Sequence, residues 1–455
     1  MTNSGAVKTD AAALAEHPIV LEDLLENGQG VGRVGGLVVF VTGGLPGERV
    51  RIAVDEVKRN YAAAHVTSIE SESPDRVVSP CPVFPRCGGC QTLHLRYAAE
   101  LAWKRRLVAD AFARIGGLKS VEVAEPVTMQ AGDGASGYRN KVGLVCKSEN
   151  GKARLGFYGA RSHRLVAVDG CPVLIDRLQE AVEKLVVFAR EVPQALRGVG
   201  HVVARASATG DELVVSFNGK EPNRALHASV DELRSRIPTL TGLVSNWDPP
   251  SENAVFGRRS ATLWGSPVVR ERVRDATFSF GIESFFQINT ALLEPLAARV
   301  VDPLRGARRV VDLYSGVGTF AVLLGKIGVP TTGIESFQPA VDEAAANAAE
   351  NGVTSAAFEC ATVAAAVAGD AGRALLAGAD AVILDPPRKG CEEGVLPALA
   401  ANGIKRILYV SCNPATLARD AALLAAAGYA IASVQPFDMF PHTGHVEVLA
   451  EFRLP

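Results

Sequence analysis

At 455 residues the chain is too long for one compact core, and ordinary domain sizes predict two to four folding units. Its hydrophobic content of 48% and charged content of 21% are those of a water-soluble protein, and no apolar run reaches the roughly 18 residues of a membrane-spanning helix, which excludes that class. A net charge of −2 gives no electrostatic sign of nucleic acid, since RNA binders commonly carry a basic excess.

Met1 to Asp10 lacks a basic stretch followed by an apolar core, so no secretion signal is expected there and the segment reads as a short disordered tail of a cytoplasmic protein. Ile19-Val20-Leu21, Gly36 to Val41, Glu48 to Val54 and His65 to Ile69 read as short strands punctuated by glycine turns. That grammar predicts a small β-barrel over residues 1–72. Such barrels commonly bind oligonucleotides, although the pattern alone fits a generic β-domain equally well.

Residues 73–274 are mixed, which predicts a central α+β domain. A linker at Ser71 to Pro80 precedes a cysteine-rich loop, a helix near Ala98 to Ile115, and strands at Val202 to Ala206 and Glu212 to Phe217. In the loop, Cys81-x5-Cys87-x2-Cys90 lies among Pro82, Pro85, Gly88 and Gly89, and Cys171 follows in Asp169-Gly170-Cys171-Pro172. Four thiolates could hold zinc or an iron–sulfur cluster. One Cys-x2-Cys pair with two outliers departs from the paired spacing usual for zinc. Disulfides are disfavoured in a chain expected to stay in a reducing compartment. The basic clusters at Lys104-Arg105-Arg106, Arg154/Arg161/Arg164 and Arg270/Arg272/Arg274 are compatible with RNA but do not indicate it.

From residue 275 to the end, apolar strand-like runs alternate with alanine-rich helices, which predicts a parallel doubly wound sheet. The first run, Val310 to Leu313, leads into Tyr314-Ser315-Gly316-Val317-Gly318-Thr319-Phe320-Ala321, a glycine turn opening a helix. Glycines there are expected where backbone must approach a ligand. Glu335 ends the second strand about 20 residues on, where a carboxylate can take the hydroxyls of a ribose. These features alone fit NAD as well as S-adenosylmethionine.

Ala381 to Asp385 runs into Pro386-Pro387-Arg388-Lys389-Gly390, whose prolines fix the exit of the strand and remove two backbone donors. The next strand, from Lys405, ends at Ser411-Cys412-Asn413-Pro414. Ligands bind at the carboxyl ends of such strands, so Asp385 and Cys412 should lie side by side facing the cofactor. A lone cysteine is more often a small buried hydrophobe, and only its position makes this one a nucleophile candidate. An antiparallel last strand would bring Glu447, at the start of Val446 to Phe452, to the same edge. His442 and His445 are read as loop histidines rather than alternative bases.

Phe285-Phe286-Gln287-Ile288-Asn289, the Asp312 turn, Asp385-Pro-Pro-Arg388, Ser411-Cys412-Asn413-Pro414 and Phe440-Pro-His-Thr-Gly-His-Val-Glu447 together resemble the RNA 5-methyluridine methyltransferase family over nearly the whole chain. The resemblance implies an N-terminal TRAM domain that binds RNA and a seven-stranded sheet that binds S-adenosylmethionine. It implies cofactor contacts from Gln287, Tyr314, Glu335 and Asp385, stacking of Phe285 near the target base, Cys412 as nucleophile and Glu447 as base. It also implies a 4Fe-4S cluster at Cys81, Cys87, Cys90 and Cys171, with zinc as the alternative. C5 of uracil is a poor nucleophile until a thiolate adds to C6, so cysteine and base are needed together.

Two positions depart from the family pattern. Ser315 stands where many members have cysteine, and Thr362 falls near a position where an adenine-binding Asn or Asp is common. Nitrogen-directed methyltransferases share the Pro-Pro feature but place an aromatic residue after it and have no use for Cys412. A non-catalytic RNA-binding protein would not keep Cys412, Glu447 and the cofactor turn together. The expected partner is ribosomal or transfer RNA, bound by a monomer.

Overall fold

The computed structural model describes residue 14 and residues 16–129, 135–149, 151–251 and 254–455. The expected tail, Met1 to Asp10, lies outside them. The described chain divides into two compact units. One comprises the residues up to Glu100 together with Tyr158–His163 and His442–Gly444, and the other holds the remainder.

In the first unit, β1 (Ile19–Leu24), β2 (Gln29–Val34), β3 (Leu37–Thr42), β4 (Arg49–Val57) and β5 (Tyr61–Ser71) close into a barrel in the order β1-β2-β3-β5-β4. Alternate residues point inward, so Val39 and Val41, Val50 and Ile52, and Ala62 and Ala64 fill the interior beside Leu21. β2 and β3 are joined by Gly35 and Gly36, with φ of 56° and 85°. Two successive positive φ values suit the tight hairpin turn that matches strand twist. The sequence reading missed β2 because its glycines interrupt the apolar alternation. A Cβ on Gly32 would sit 2.8 Å from the Val20 carbonyl, so the barrel requires that interruption.

The second unit contains β6 (Lys141–Glu149), β7 (Lys152–Tyr158), β8 (Leu165–Ala167), β9 (Val199–Ala206), β10 (Leu213–Gly219), β11 (Gly242–Trp247) and β12 (Arg259–Gly265), in the sheet order β12-β11-β10-β9-β6-β7-β8. A helix at Asp176–Glu191 presents Leu178, Ala181, Val182, Leu185 and Ala189 to its core at helical spacing. A hairpin of β13 (Val268–Val273) and β14 (Ala276–Gly281) follows.

The C-terminal sheet has β15 (Val310–Leu313), β16 (Thr331–Glu335), β17 (Ala356–Cys360), β18 (Ala381–Leu384), β19 (Arg406–Ser411), β20 (Ala430–Phe437) and β21 (Glu447–Arg453). Their order is β17-β16-β15-β18-β19-β21-β20, with β21 antiparallel to both neighbours. Both faces are covered. Val310, Ile383, Leu408 and Val410 enter one core cluster, while Val311, Leu313, Val382, Leu384 and Tyr409 enter the other. This is why these strands read as continuous apolar runs. β17 gave no such run because it is an edge strand with much of Ala-Ala-Phe-Glu-Cys exposed. The strand order reverses between β15 and β18, the place where such sheets bind ligands. Among the described residues no helix is long and apolar enough to cross a membrane.

Candidate active site

Strand register lines up the chemistry. Leu313 pairs with Ile334 on one side and Leu384 on the other, so the next residues, Glu335, Tyr314 and Asp385, form a row at the carboxyl edge. Ser411 pairs with Val448 across the antiparallel junction, which puts Cys412 opposite Glu447. All five line one cavity of about 670 Å³, together with Phe285, Gln287, Arg388 and Phe440.

On the cofactor side, Tyr314 adopts φ of 65°, rare for a non-glycine residue, and its hydroxyl oxygen accepts the Glu392 amide at 3.4 Å. The two glycines of the turn have different surroundings. A Cβ on Gly316 would meet nothing within 4 Å, whereas one on Gly318 would fall 2.9 Å from Phe358 and 3.0 Å from Ala344. A side chain at Gly318 would therefore crowd a ring of the edge strand and a helix packed on the sheet, and both glycines also hold positive φ, 53° and 83°.

Glu335 is already engaged. Its Oε1 accepts the Ser336 and Phe337 amides at 2.7 and 2.9 Å, and its Oε2 accepts the Gly316 amide at 3.1 Å. These bonds aim the carboxylate and leave acceptor capacity mainly on Oε2. Buried polar atoms also lie beside this turn, namely the Asp312 carboxyl, whose nearest donor is the Ala321 amide, and the hydroxyl of Ser315, which has no protein partner. Such groups suit a polar ligand better than an apolar one. Thr362 lines the cavity, but its hydroxyl caps the next helix by accepting the Ala365 amide at 3.3 Å.

The Pro-Pro loop is held by more than its prolines. The Arg388 carbonyl accepts from Asn413 Nδ2 at 3.1 Å and Thr416 Oγ1 at 3.3 Å, and Arg419 donates to the Lys389 carbonyl at 3.1 Å. Asp420 accepts the Cys391 amide at 3.0 Å and the Tyr409 hydroxyl at 2.7 Å. Cys391 therefore belongs to a buried anchor behind the loop. Burial carries its thiol up to about 12.

Cys412 is half-buried at the turn between β19 and the helix Pro414–Ala426, whose first turn Asn413 caps by accepting the Ala415 and Thr416 amides. Burial, then the carboxyls of Glu447 and Asp385, push the thiol up to about 11, and the Arg388 guanidinium acts in the opposite sense. Glu447 is 2% exposed, and burial followed by Asp385 holds its carboxyl well above the ordinary range, again opposed by Arg388. Burial also raises Asp385 to about 7 and Asp312 to about 8, the latter further by Asp385 and Glu335. The edge thus combines a thiol and a Glu447 carboxyl whose protons burial holds, Asp385 raised to about 7, and one guanidinium among several carboxyls.

Arg388 was quoted in the sequence only as a motif member, and Arg139, Thr319 and Phe440 gave no signal as lining residues. Arg139 reaches the cavity from the central part of the chain, which no motif spacing reports. His445 faces Arg388 at 3.3 Å, while His442 sits 3.5 Å from Glu100, as loop histidines with local partners. The basic clusters are partly spent on ion pairs, Arg105 with Glu125, Arg270 with Glu212 and Arg274 with Asp302.

The expected metal centre finds no support. Among the described residues no three or more His, Cys, Asp or Glu side chains are arranged to hold a metal ion. Cys87 feels Cys81 nearby and its sulfur accepts the Gly89 amide at 3.4 Å, but Cys81, Cys87 and Cys90 do not form a ligand group, and Cys171 belongs to the second unit.

Residues 268–450 match the family described as tRNA (uracil-5-)-methyltransferase, and residues 16–67 match the TRAM domain. An uncharacterised RNA methyltransferase of Halalkalibacterium halodurans is 34% identical over 454 residues, covering 96% of each chain. Another, from Thermosynechococcus vestitus, is 36% identical over 441 residues, covering 94% of this chain and 96% of the other. Among solved structures, the Pyrococcus abyssi tRNA (uracil-54, C5)-methyltransferase in complex with S-adenosyl-L-homocysteine is 28% identical, with a TM-score of 0.74. That match covers 96% of this chain and 100% of the other.

Proposed function

Because the chain belongs to the tRNA (uracil-5-)-methyltransferase family, we propose that it transfers the methyl group of S-adenosylmethionine to C5 of a specific uridine in RNA through a covalent adduct on Cys412. The observation that carries the mechanism is the strand register that sets Cys412 opposite Glu447 at the edge of the cofactor cavity. S-adenosylmethionine supplies, when bound, a methyl group on an electron-poor sulfonium.

Gln287, Tyr314, Glu335 and Asp385 hold the cofactor, and Phe285, 69% exposed on the cavity wall, stacks near the target base. Cys412 loses its proton to solvent and its thiolate adds to C6 of uracil, moving the ring electrons onto C5 and the C4 carbonyl oxygen. C5 then takes the methyl group. Glu447 removes the proton left on C5, and the electron pair released expels the Cys412 thiolate and restores the C5–C6 double bond. Arg388, charged beside both groups, favours the thiolate and the Glu447 carboxylate in turn.

Transfer RNA is favoured over ribosomal RNA as substrate by the family description and by the likeness to the Pyrococcus enzyme. On this reading the protein acts as a monomer in the cytoplasm. A 4Fe-4S cluster at Cys81, Cys87, Cys90 and Cys171, or zinc in its place, is carried by the family resemblance alone. Iron, sulfide and zinc analysis of anaerobically purified protein decides it.

The deciding experiment for the function maps 5-methyluridine across total RNA of a strain lacking the gene, then of the same strain complemented with wild type or Cys412→Ala. One site should lose its methyl group, regain it with wild type and stay bare with the variant. An unchanged map would sink the proposal.

A further inference from the structure

The reaction leaves unused a set of polar side chains, most of them on the central sheet, that converge on one short loop. Between Gly281 and Ile288, Lys141 Nζ donates to the Ile282 carbonyl at 2.9 Å. Arg205 donates to the Ser284 carbonyl at 3.1 Å and the Phe286 carbonyl at 2.8 Å. Asn140 Nδ2 reaches the Gln287 carbonyl at 3.4 Å, and the Ile288 carbonyl accepts the Asn140 amide at 3.0 Å. Glu343 accepts the Gly281 amide at 2.7 Å.

Arg205 is the unusual member. Its residue is 0% exposed, and among the described residues it forms no salt bridge. Its guanidinium lies 4.4 Å from the Phe280 ring centre and 5.9 Å from that of Phe286, and these two rings stack on each other at 4.3 Å. Glu271 and Glu343 lie close enough to favour its charge without forming an ion pair with it, yet burying the guanidinium is still costly, and an apolar side chain would fill the same core without that cost. What only arginine supplies is a rigid planar fork able to take two carbonyls at once. The two it takes belong to the residues immediately before and after Phe285. With the carbonyls of the residues on either side pinned and Phe286 buried at 3%, Phe285 is turned outward, 69% exposed, onto the cavity wall.

We propose that Arg205 is a positioning residue that holds Phe285 in place to receive the target uracil, so that the central sheet sets how the base is seated against Cys412. This rests on the reading above in which Phe285 meets the base. Phe285 is flanked on both sides by pinned carbonyls whereas Gln287 is pinned by this guanidinium only through the peptide before it, so the effect should fall more on RNA than on S-adenosylmethionine.

The test is a double-variant cycle on the full chain using Arg205→Met, Arg205→Lys and Phe285→Ala, reading KM for RNA, kcat, and the Kd of S-adenosylmethionine by calorimetry. Arg205→Met should raise the RNA KM about tenfold while the cofactor Kd moves less than about twofold. In the Phe285→Ala background the same change should add less than about twofold, because one contact is being lost twice. Arg205→Lys keeps the charge but cannot grip both carbonyls, and should fall between. If Arg205→Met does not fold, Arg205→Lys carries the same cycle.

Effects that multiply in the double variant, or a cofactor Kd that weakens in step with the RNA KM, would show Arg205 to be core packing only. A raised KM in Phe285→Ala with none in Arg205→Lys overturns the proposal and leaves the base-stacking reading intact. An unchanged KM in Phe285→Ala overturns both.

Discussion

Cys412 and Glu447 face each other across the antiparallel junction of β19 and β21, each at the strand end that opens into the cofactor cavity. The pairing makes two separable predictions. With RNA carrying 5-fluorouridine, the fluorine at C5 cannot be removed as a cation, so wild type should form a covalent adduct that survives denaturing electrophoresis and requires S-adenosylmethionine. Cys412→Ala should form none. Glu447→Gln should still add to ordinary RNA but release it slowly, with turnover reduced about 10²- to 10⁴-fold, the usual range for losing a positioned base. Release at the wild-type rate would remove Glu447 from the role.

The cavity should make cofactor affinity depend on pH. Burial raises Asp385 to about 7 and Asp312 to about 8 in the free protein. A bound sulfonium cation favours their ionised forms, so binding releases protons at neutral pH. The proton cost falls as pH rises, and affinity for S-adenosylmethionine should increase through pH 7 to 8 and then level off. S-adenosylhomocysteine carries no charge on sulfur, and its titration over the same range should be flatter. Parallel curves for the two would contradict the assignment of Asp385 to the cofactor.

The two glycines of the cofactor turn should respond unequally to alanine. Gly316→Ala meets open space and bears only the strain of its φ of 53°. Gly318→Ala adds contacts of 2.9 and 3.0 Å with Phe358 and Ala344 to a φ of 83°. Denaturant unfolding should show a loss of about 1 kcal/mol for the first and about 2–4 kcal/mol for the second. Equal losses would mean that the packing against Phe358 relaxes freely.

Lys104 and Asp438 form a fully buried ion pair at 2.5 Å, and Lys104 also donates to the carbonyl of Phe440, which lines the cavity. Lys104→Met leaves Asp438 buried without that partner, and should cost about 3–5 kcal/mol of stability by urea unfolding. Lys104→Met combined with Asp438→Leu should recover much of that loss. Restored stability with persistently poor turnover would indicate that the bond to Phe440 matters for the reaction itself.

Much was legible in the chain because its informative features are local. Apolar runs covered on both faces announced β15, β16, β18 and β19. Asp385-Pro-Pro and Ser411-Cys412-Asn413-Pro414 mark strand ends by turn chemistry, which depends only on neighbouring residues. β2 and β17 were not legible, since a barrel that needs glycine and an edge strand that needs no apolar face both erase the periodic signal. The reason for Gly318 was also hidden, because Phe358 and Ala344 reach it from 26 to 40 residues away in the chain.

By itself the sequence determined the fold class, the family and the identity of the nucleophile candidate, because each depends on residue type within a strand, a turn or a short motif. An antiparallel last strand bringing Glu447 to Cys412 was already an expectation of the sequence, whereas only the tertiary structure decided that Arg388 lies beside both and that Arg205 grips the loop of Phe285. These relationships join residues 24 to 81 positions apart, and burial and electrostatic coupling arise from what packs around a group in space rather than from its neighbours along the chain.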